Sequence, residues 1–347
     1  MKRFGKFLAS IGIVLLVLVV IVAAVGFWFV RRPWPEVRGK IEVPDLTAAV
    51  EVIRDEWGVP HIYAENEHDL FFAQGYVHAQ DRLWQMESNR RTASGTLSAI
   101  LGNATLDIDR FMRTIGLRRA AEKDWALVDG ETRDALQAYA DGVNAFIESN
   151  LNRLPLEFTI LGAKPEPWTP VDTLAWGKMM SYSLCGNYDE ELLRARLIAG
   201  LGQEAAQEIM LPYPDEGPFI VPPEALNYSW LRDAELAELD AAAFGTGLSH
   251  SDVGSNNWVV HGSRTATGMP LLANDMHLRL DLPAIWYENG LHGGGFNSVG
   301  YSFPGVPMVI VGHNEQIAWA VTNLPADVQD LYIEKLDDSV HPTQYEY

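Results

Sequence analysis

Residues 254–260 read Gly254-Ser255-Asn256-Asn257-Trp258-Val259-Val260. A Gly-Ser bond is followed at once by β-prone residues, and cutting such a bond would give a new chain start. A serine at a chain start carries a nucleophile and a base in one residue, because its hydroxyl lies beside an α-amino group with a pKa near ~8. The dipeptide alone is ordinary turn chemistry. The flanking sequence has to distinguish a processed precursor from a plain interdomain linker.

The sequence before this stretch is mainly helical in pattern. Apolar residues recur at steps of three and four residues over 69–91, 132–149, 171–184 and 190–199. Two short runs, 48–54 and 61–64, precede these segments and predict a β-hairpin. On the first helix the charged residues, Asp81, Arg82, Glu87, Arg90 and Arg91, indicate either a binding surface or intrahelical pairs exposed to solvent.

The pattern changes at the Gly254-Ser255 bond. An Ala/Glu/Asp/Leu-rich tract at 234–243 leads up to it, and short β-prone runs separated by Gly and Pro turns follow it. Such short spacing favours antiparallel strands over βαβ crossovers. A helical block, an acidic linker and the onset of a sheet therefore meet at one bond.

Composition limits the function classes. The chain has 347 residues, is 48% apolar and is expected to be globular. With 26 Lys+Arg against 46 Asp+Glu, its formal net charge of −20 would repel a phosphate backbone, so nucleic acid is not an expected partner. A metal cation or a neutral ligand fits this charge better.

The N-terminus predicts export. Lys2, Arg3 and Lys6 precede an uncharged run, 7–30, that is long enough to span a bilayer and longer than the roughly 7–15 apolar residues of a signal peptide. We expect 1–32 to be an uncleaved inner-membrane anchor that leaves the rest in the periplasm or outside. Val22-Ala23-Ala24 keeps cleavage, and hence secretion, open.

Two blocks of residues together resemble the penicillin acylase family, whose members are N-terminal-nucleophile amidases. The first block reads Ile53-Arg54-Asp55, Gly58-Val59-Pro60-His61-Ile62 and Gly75-Tyr76-Val77-His78-Ala79-Gln80-Asp81-Arg82-Leu83-Trp84-Gln85-Met86-Glu87. The second reads Gly254-Ser255-Asn256-Asn257-Trp258, Leu291-His292-Gly293-Gly294-Gly295, Pro304-Gly305, Gly312-His313-Asn314 and Trp319.

The resemblance implies an α+β fold, the αββα sandwich of N-terminal-nucleophile hydrolases, with a mostly helical α-subunit region behind one transmembrane helix. It implies a precursor that cuts itself between Gly254 and Ser255 into an α/β heterodimer. The segments are then the anchor or signal (1–32), the α-subunit region (33–233), the linker peptide (234–254) and the start of the β subunit (255–347). Because the family's β subunit continues beyond the position of Tyr347, we expect this chain to be truncated at its C-terminus.

The resemblance also implies three catalytic residues. Ser255 would be the nucleophile, and its own amino group would be the general base. His277 would hydrogen-bond near that amino group, and the backbone N–H of Asn323 would donate to the oxyanion. The family's second oxyanion donor, an asparagine side chain, lies beyond Tyr347.

A calcium site is the one cofactor site that the resemblance implies, and no organic cofactor is expected. Its ligands would be Glu190, Asp327, the carbonyl of Gln329 and Asp330. Hard oxygen ligands suit Ca²⁺, which would clamp the two subunits together. Two acidic residues three positions apart are otherwise a common solvated turn.

The acyl-binding positions of the family are aliphatic here. They are Met180, Leu184, Leu278, Val311 and Val321. Together with His277, they favour an aliphatic acyl group, and the expected substrate is a small N-acyl amide of the acyl-homoserine lactone or β-lactam type. The alternative is that some of these residues are simply core.

Two other function classes stay open. Leu291-His292-Gly293-Gly294-Gly295 also resembles the oxyanion loop of an α/β-hydrolase esterase, but the Gly-x-Ser-x-Gly elbow that such an enzyme needs is absent from the sequence. A membrane-anchored binding protein could keep the fold without the chemistry. The spacing of His261, His277, His292 and His313 fits no compact zinc motif.

Overall fold

The structure of this chain is a computed structural model that describes residues 2–184, 188–210, 254–278, 280–323, 329, 332, 335–338 and 343–346. Most of the expected linker peptide, and Asp327 and Asp330 of the expected calcium site, lie outside the described residues. The chain forms two compact units, Met1–Lys178 with Leu280–Ala320 and Met179–Arg279 with Val321–Tyr347.

Helices dominate the part of the chain before residue 210. They are α1 (Lys2–Arg31), α2 (Glu67–Ser94), α3 (Ser98–Leu101), α4 (Leu106–Ile115), α5 (Leu117–Leu127), α6 (Gly130–Asn150), α7 (Leu156–Leu161), α8 (Pro170–Leu184), α9 (Tyr188–Leu201) and α10 (Gln203–Ile209). The four predicted helices are confirmed as α2, α6, α8 and α9.

Strands lie before the helical block and after residue 254, as the sequence predicts, although the sequence analysis identified no strand at 287–302, where two of the long strands lie. They are β1 (Glu51–Arg54), β2 (Pro60–Tyr63), β3 (Gly254–Val260), β4 (Leu271–His277), β5 (Tyr287–Gly293), β6 (Phe296–Ser302), β7 (Val311–His313), β8 (Ala318–Trp319), β9 (Lys335–Leu336) and β10 (Tyr345–Glu346). The mixed helix and sheet content agrees with the expected α+β class, whereas the αββα layering stays a prediction.

α1 stands apart from the core. Within it, the segment Ile11–Arg31 contains an 18-residue window with a mean hydropathy of 3.2 that is not buried, and the segment is long and apolar enough to cross a membrane. By length and composition it agrees with either sequence expectation, an anchor or a cleaved signal.

A six-stranded sheet organises the first unit, in the order β1-β2-β5-β6-β7-β8. The β1–β2 hairpin is confirmed, and the neighbouring pairs after β5 are antiparallel as expected. β2 and β5 form a parallel pair, which the sequence did not predict. A parallel pair needs a long connection between its strands, and here that connection includes the whole helical block.

α2 and α6 cross closely because each carries a glycine at the contact. A Cβ on Gly75 would lie 2.1 Å from the main-chain oxygen of Tyr139, and one on Gly142 would lie 1.8 Å from that of Phe72. No side chain fits at such distances. The predicted core face of α2 is confirmed, since Leu70 and Leu83 are buried there.

The charged residues at the end of α2, Glu87, Arg90 and Arg91, are paired within the helix, as one sequence interpretation expected. The expectation that they are exposed to solvent was wrong. Glu87 contacts Arg90 at 2.5 Å and Arg91 at 2.6 Å, and all three residues are buried. Arg90 also donates to the main-chain oxygens of Glu166 and Pro167, at 2.8 and 3.1 Å. Burial is tolerated because the charges neutralise one another and their donors find acceptors.

His78 lies at the centre of a buried polar network between α2, α6 and the sheet. Its Nδ1 is 2.8 Å from the Tyr139 hydroxyl, and its Nε2 is 3.1 Å from the Ser302 hydroxyl. The Tyr139 oxygen also accepts from the N–H of Gly305 at 2.8 Å. A neutral imidazole satisfies both of its contacts. Burial, reinforced by the positive charge of Arg82, lowers the pKa of His78 from 6.5 to about 3.

We therefore predict a loss of stability in mild acid that depends on His78. Below pH 6.5 the unfolded chain binds a proton that the folded protein excludes, so stability falls as the pH drops toward about 3. His78 is expected to lower the free energy of unfolding by about 1.4 kcal/mol for each pH unit of this fall. Urea unfolding of the full-length protein between pH 7 and pH 5 measures it.

The variants for this measurement are His78→Gln and, as a matched control, His313→Gln at an exposed histidine. The first should show a shallower loss of stability with falling pH than the wild type, and the second should keep the wild-type dependence. Equal slopes for the wild type and His78→Gln would contradict a buried neutral imidazole.

Candidate functional site

Ser255 lies at the beginning of the two-stranded antiparallel sheet that β3 and β4 form in the second unit. The pairing runs from Gly254 opposite His277, through Ser255 opposite Met276, to Val260 opposite Leu271. The Gly-Ser bond that the sequence singled out is therefore the first peptide bond of a strand.

The turn after β3 explains the register in which β4 pairs with β3. A short 3₁₀ turn, Gly262–Arg264, follows β3, and a Cβ on Gly262 would lie 2.2 Å from the main-chain oxygen of Gly268. The Thr265 hydroxyl, 3.0 Å from the Gly262 oxygen and 2.7 Å from the Met269 oxygen, closes the connection. This tight turn fixes which residue of β4 lies opposite Ser255.

The hydroxyl of Ser255 contacts the carbonyl group of the residue before it. Its Oγ donates to the main-chain oxygen of Gly254 at 2.6 Å, and the residue is half-buried. Among the described residues nothing lies within 4 Å of a Cβ built on Gly254, so packing there does not demand glycine. Low crowding at the attacked carbon remains a chemical reason for glycine at this position.

His277 lies opposite Gly254, beside the Gly254–Ser255 bond. Because directly paired residues share a face and successive residues alternate, its side chain is on the face opposite to that of Ser255. Its Nε2 is 2.8 Å from an Asp275 carboxylate oxygen, and about half of the side chain (47%) is exposed. The sequence reasoning missed Asp275, although an Asp-x-His spacing on a strand places both side chains on one face.

The segment that contains Asn323 is held by side-chain amides. The Nδ2 of Asn323 donates to the main-chain oxygen of Leu184, at the end of α8, at 2.5 Å. Two residues earlier, Val321 exchanges two hydrogen bonds with the side chain of Asn274 on β4. The sequence analysis missed Asn274. The only sequence feature that could have indicated it is a polar amide within an otherwise β-prone run.

The five expected acyl-binding residues are divided between the two units. Val311 belongs to the first unit and is buried in β7, whereas the other four belong to the second. Of these, Met180 is buried, Leu184 and Leu278 are half-buried, and Val321 is exposed. Their assembly into one acyl pocket stays a prediction.

The expected calcium ligands are only partly described. Glu190 lies on α9 with an exposed side chain. Gln329 donates from Nε2 to the main-chain oxygen of Tyr182 at 3.4 Å, and its side-chain oxygen is buried without a hydrogen-bond partner among the described residues. Within the described ranges, no group of three or more His, Cys, Asp or Glu side chains is arranged to hold a metal ion.

The glycines of the esterase-like motif, Gly293, Gly294 and Gly295, have a packing role at the β5–β6 hairpin. A Cβ on Gly293 would lie 1.7 Å from the main-chain oxygen of Ala64, and one on Gly294 would lie 2.5 Å from the nitrogen of Glu67. All three also have positive φ angles, of 126°, 59° and 90°. Close contact with the segment before and at the start of α2 accounts for Gly293 and Gly294, and the positive φ angle accounts for Gly295, so an oxyanion loop is not needed to explain the three glycines.

Comparison with known proteins gives consistent matches. The model of the penicillin amidase family matches residues 49–347. Penicillin acylase 2 proenzyme of a Pseudomonas species (strain SE83) is 38% identical over 310 residues, covering 87% of this chain and 39% of that protein. Acyl-homoserine lactone acylase QuiP of Pseudomonas aeruginosa is 36% identical over 309 residues, with 87% and 36% covered.

A solved structure, the thermostable penicillin G acylase from Alcaligenes faecalis, is 32% identical with a TM-score of 0.43, covering 50% of this chain and 97% of that one. The chain spans about two fifths of the length of the curated relatives it matches. Since the family model covers nearly all of the chain after α1, the chain belongs to the penicillin amidase family.

Proposed function

We propose that the full-length protein is a self-processing amidase that hydrolyses a small N-acyl amide through an N-terminal serine. The observation that carries this proposal is the position of Ser255, the second residue of β3, whose hydroxyl donates to the Gly254 carbonyl oxygen at 2.6 Å. A serine in this place can act first on its own chain and then on a substrate.

Self-cleavage would begin when Ser255 Oγ attacks the carbonyl carbon of Gly254. The tetrahedral intermediate collapses as the Gly254–Ser255 C–N bond breaks, and the nitrogen takes up a proton. This leaves an ester between Gly254 and the serine oxygen. Water then hydrolyses the ester, giving a carboxylate at Gly254 and a free α-amino group on Ser255.

Amide hydrolysis would reuse the same atoms. The hydroxyl proton of Ser255 passes, through a water molecule, to its α-amino group while Oγ attacks the substrate carbonyl. The Asn323 N–H stabilises the oxyanion, and the leaving amine takes the proton. Water next hydrolyses the acyl ester, releasing the acid and restoring the serine. His277, held by Asp275, would set the orientation of the amino group from the neighbouring strand.

The names of the relatives support this assignment. One is called a proenzyme, and the group includes penicillin acylases as well as acyl-homoserine lactone acylases. Both kinds of name denote removal of an acyl group. The apolar α1 supports an exported enzyme whose catalytic part lies outside the inner membrane.

Processing is predicted to occur at the Gly254–Ser255 bond. Intact-mass spectrometry of the full-length wild type should show two chains, one of which begins at Ser255, whereas Ser255→Ala should remain a single chain. Ser251→Ala, a nearby serine substitution, is the control and should be cut normally. A non-catalytic binding protein would stay single in every case, and cleavage of Ser255→Ala at this bond would refute the proposed nucleophile.

The acyl group is proposed to be aliphatic, because all five expected lining positions carry aliphatic side chains. We predict that a long-chain acyl amide has a kcat/KM about tenfold higher than the phenylacetyl amide of the same amine, since each additional buried methylene contributes about 0.8 kcal/mol. Initial-rate kinetics on amides that share one amine and differ in acyl chain check this. The acetyl amide, which has the same leaving group but little acyl surface, is the control. Equal or reversed rates would contradict an aliphatic preference.

Calcium is proposed to join the two processed chains through Glu190, Asp327, the Gln329 carbonyl and Asp330. The oxygen donors suit Ca²⁺, and the side-chain oxygen of Gln329, which is buried without a hydrogen-bond partner among the described residues, fits a nearby cation. Chelation with EGTA should lower the Tm of the processed protein by several degrees, and Ca²⁺ but not Mg²⁺ should restore it. Glu190→Gln should weaken that response and Glu191→Gln should not; an unchanged Tm after chelation would argue against the site.

A further inference from the structure

Asn274 lies on β4, across the ladder from Asn257. Its side-chain amide makes three hydrogen bonds to main-chain groups. Its Nδ2 donates to the oxygen of Val321 at 2.8 Å and to the oxygen of Asn256 at 3.2 Å, while its Oδ1 accepts from the N–H of Val321 at 3.2 Å. One side chain therefore joins β3, which carries Ser255, to the segment that leads to Asn323.

The two bonds to Val321 copy the pairing that a neighbouring strand would provide. Val321 belongs to no strand, yet both its N–H and its C=O are paired by one amide. Since these groups belong to the peptide planes on either side of the residue, the contact fixes both planes. The next peptide plane along the chain carries the N–H of Asn323.

Asn323, which follows that plane, is anchored as well. The side chain of Asn323 donates to the Leu184 main-chain oxygen at 2.5 Å, so only Thr322 separates two anchored residues. An oxyanion donor is effective when its direction is set before the reaction, because no reorganisation then accompanies charge development. The contacts on both sides of Thr322 provide that preorganisation.

We infer that Asn274 is a positioning residue, which aims the backbone N–H of Asn323 at the oxyanion by clamping Val321 to the strand of the nucleophile. This inference rests on the proposed function. Asn274 touches no reacting atom, and it acts only through the backbone of 321–323. Its effect should therefore appear in the transition state rather than in the binding of substrate.

Asn274→Asp tests the inference in the processed full-length enzyme. The substitution keeps the shape and the acceptor for the Val321 N–H, but it places a carboxylate against two carbonyl oxygens. We expect kcat to fall about 10- to 100-fold, somewhat less than the full loss of an oxyanion donor, with KM changed less than about threefold. The affinity for a phosphonate transition-state analogue should fall by the same factor as kcat, whereas the affinity for the carboxylic acid product should not.

Asn103→Asp makes the same chemical change at an exposed position and should retain wild-type kinetics. If Asn274→Asp does not fold or stays uncut, the uncharged Asn274→Ala variant takes its place with the same expected results. Wild-type kcat and analogue affinity in a processed Asn274 variant would overturn the inference, whereas an uncut, inactive wild type would instead refute the proposed function.

Discussion

The antiparallel pairing of β3 with β4 is the constraint on which the candidate site depends. It begins with Gly254 opposite His277, and the tight turn at Gly262 fixes that register. A slip of one residue would exchange the two faces of β4 and remove the Asn274 side chain from Val321. Ser255, His277 and the 321–323 segment are thus placed by one strand pairing.

The residues of the proposed reaction and the longest block of family-like sequence lie in different parts of the molecule. The block from Gly75 to Glu87 lies on α2, where Gly75 permits the crossing with α6, His78 is buried in a polar network and Glu87 neutralises two arginines. These residues build the first unit. The short Gly254-Ser255 dipeptide carries the proposed reaction, although on its own it is a weak signal.

The sequence predicted the elements with strong periodicity and missed those set by tertiary contacts. α2, α6, α8 and α9 have clear apolar faces, and the β1–β2 hairpin has clear turn residues. By contrast, no local pattern reveals that β2 pairs with β5 across the helical block. Arg90 and Arg91 looked solvent-exposed because their acceptors come from the chain before α8 and from the same helix. Asn274 could not be identified either, because its partner Val321 is remote in sequence.

The central claim is that the hydroxyl of Ser255, at a chain start, is the nucleophile. The most direct test is to treat the active full-length protein with an aliphatic sulfonyl fluoride, digest it and map the modified residue by tandem mass spectrometry. The account predicts one labelled peptide, which begins at Ser255 and carries the sulfonyl group on that side-chain oxygen, with activity lost in proportion to labelling. Inactivation with the label on another residue would contradict it.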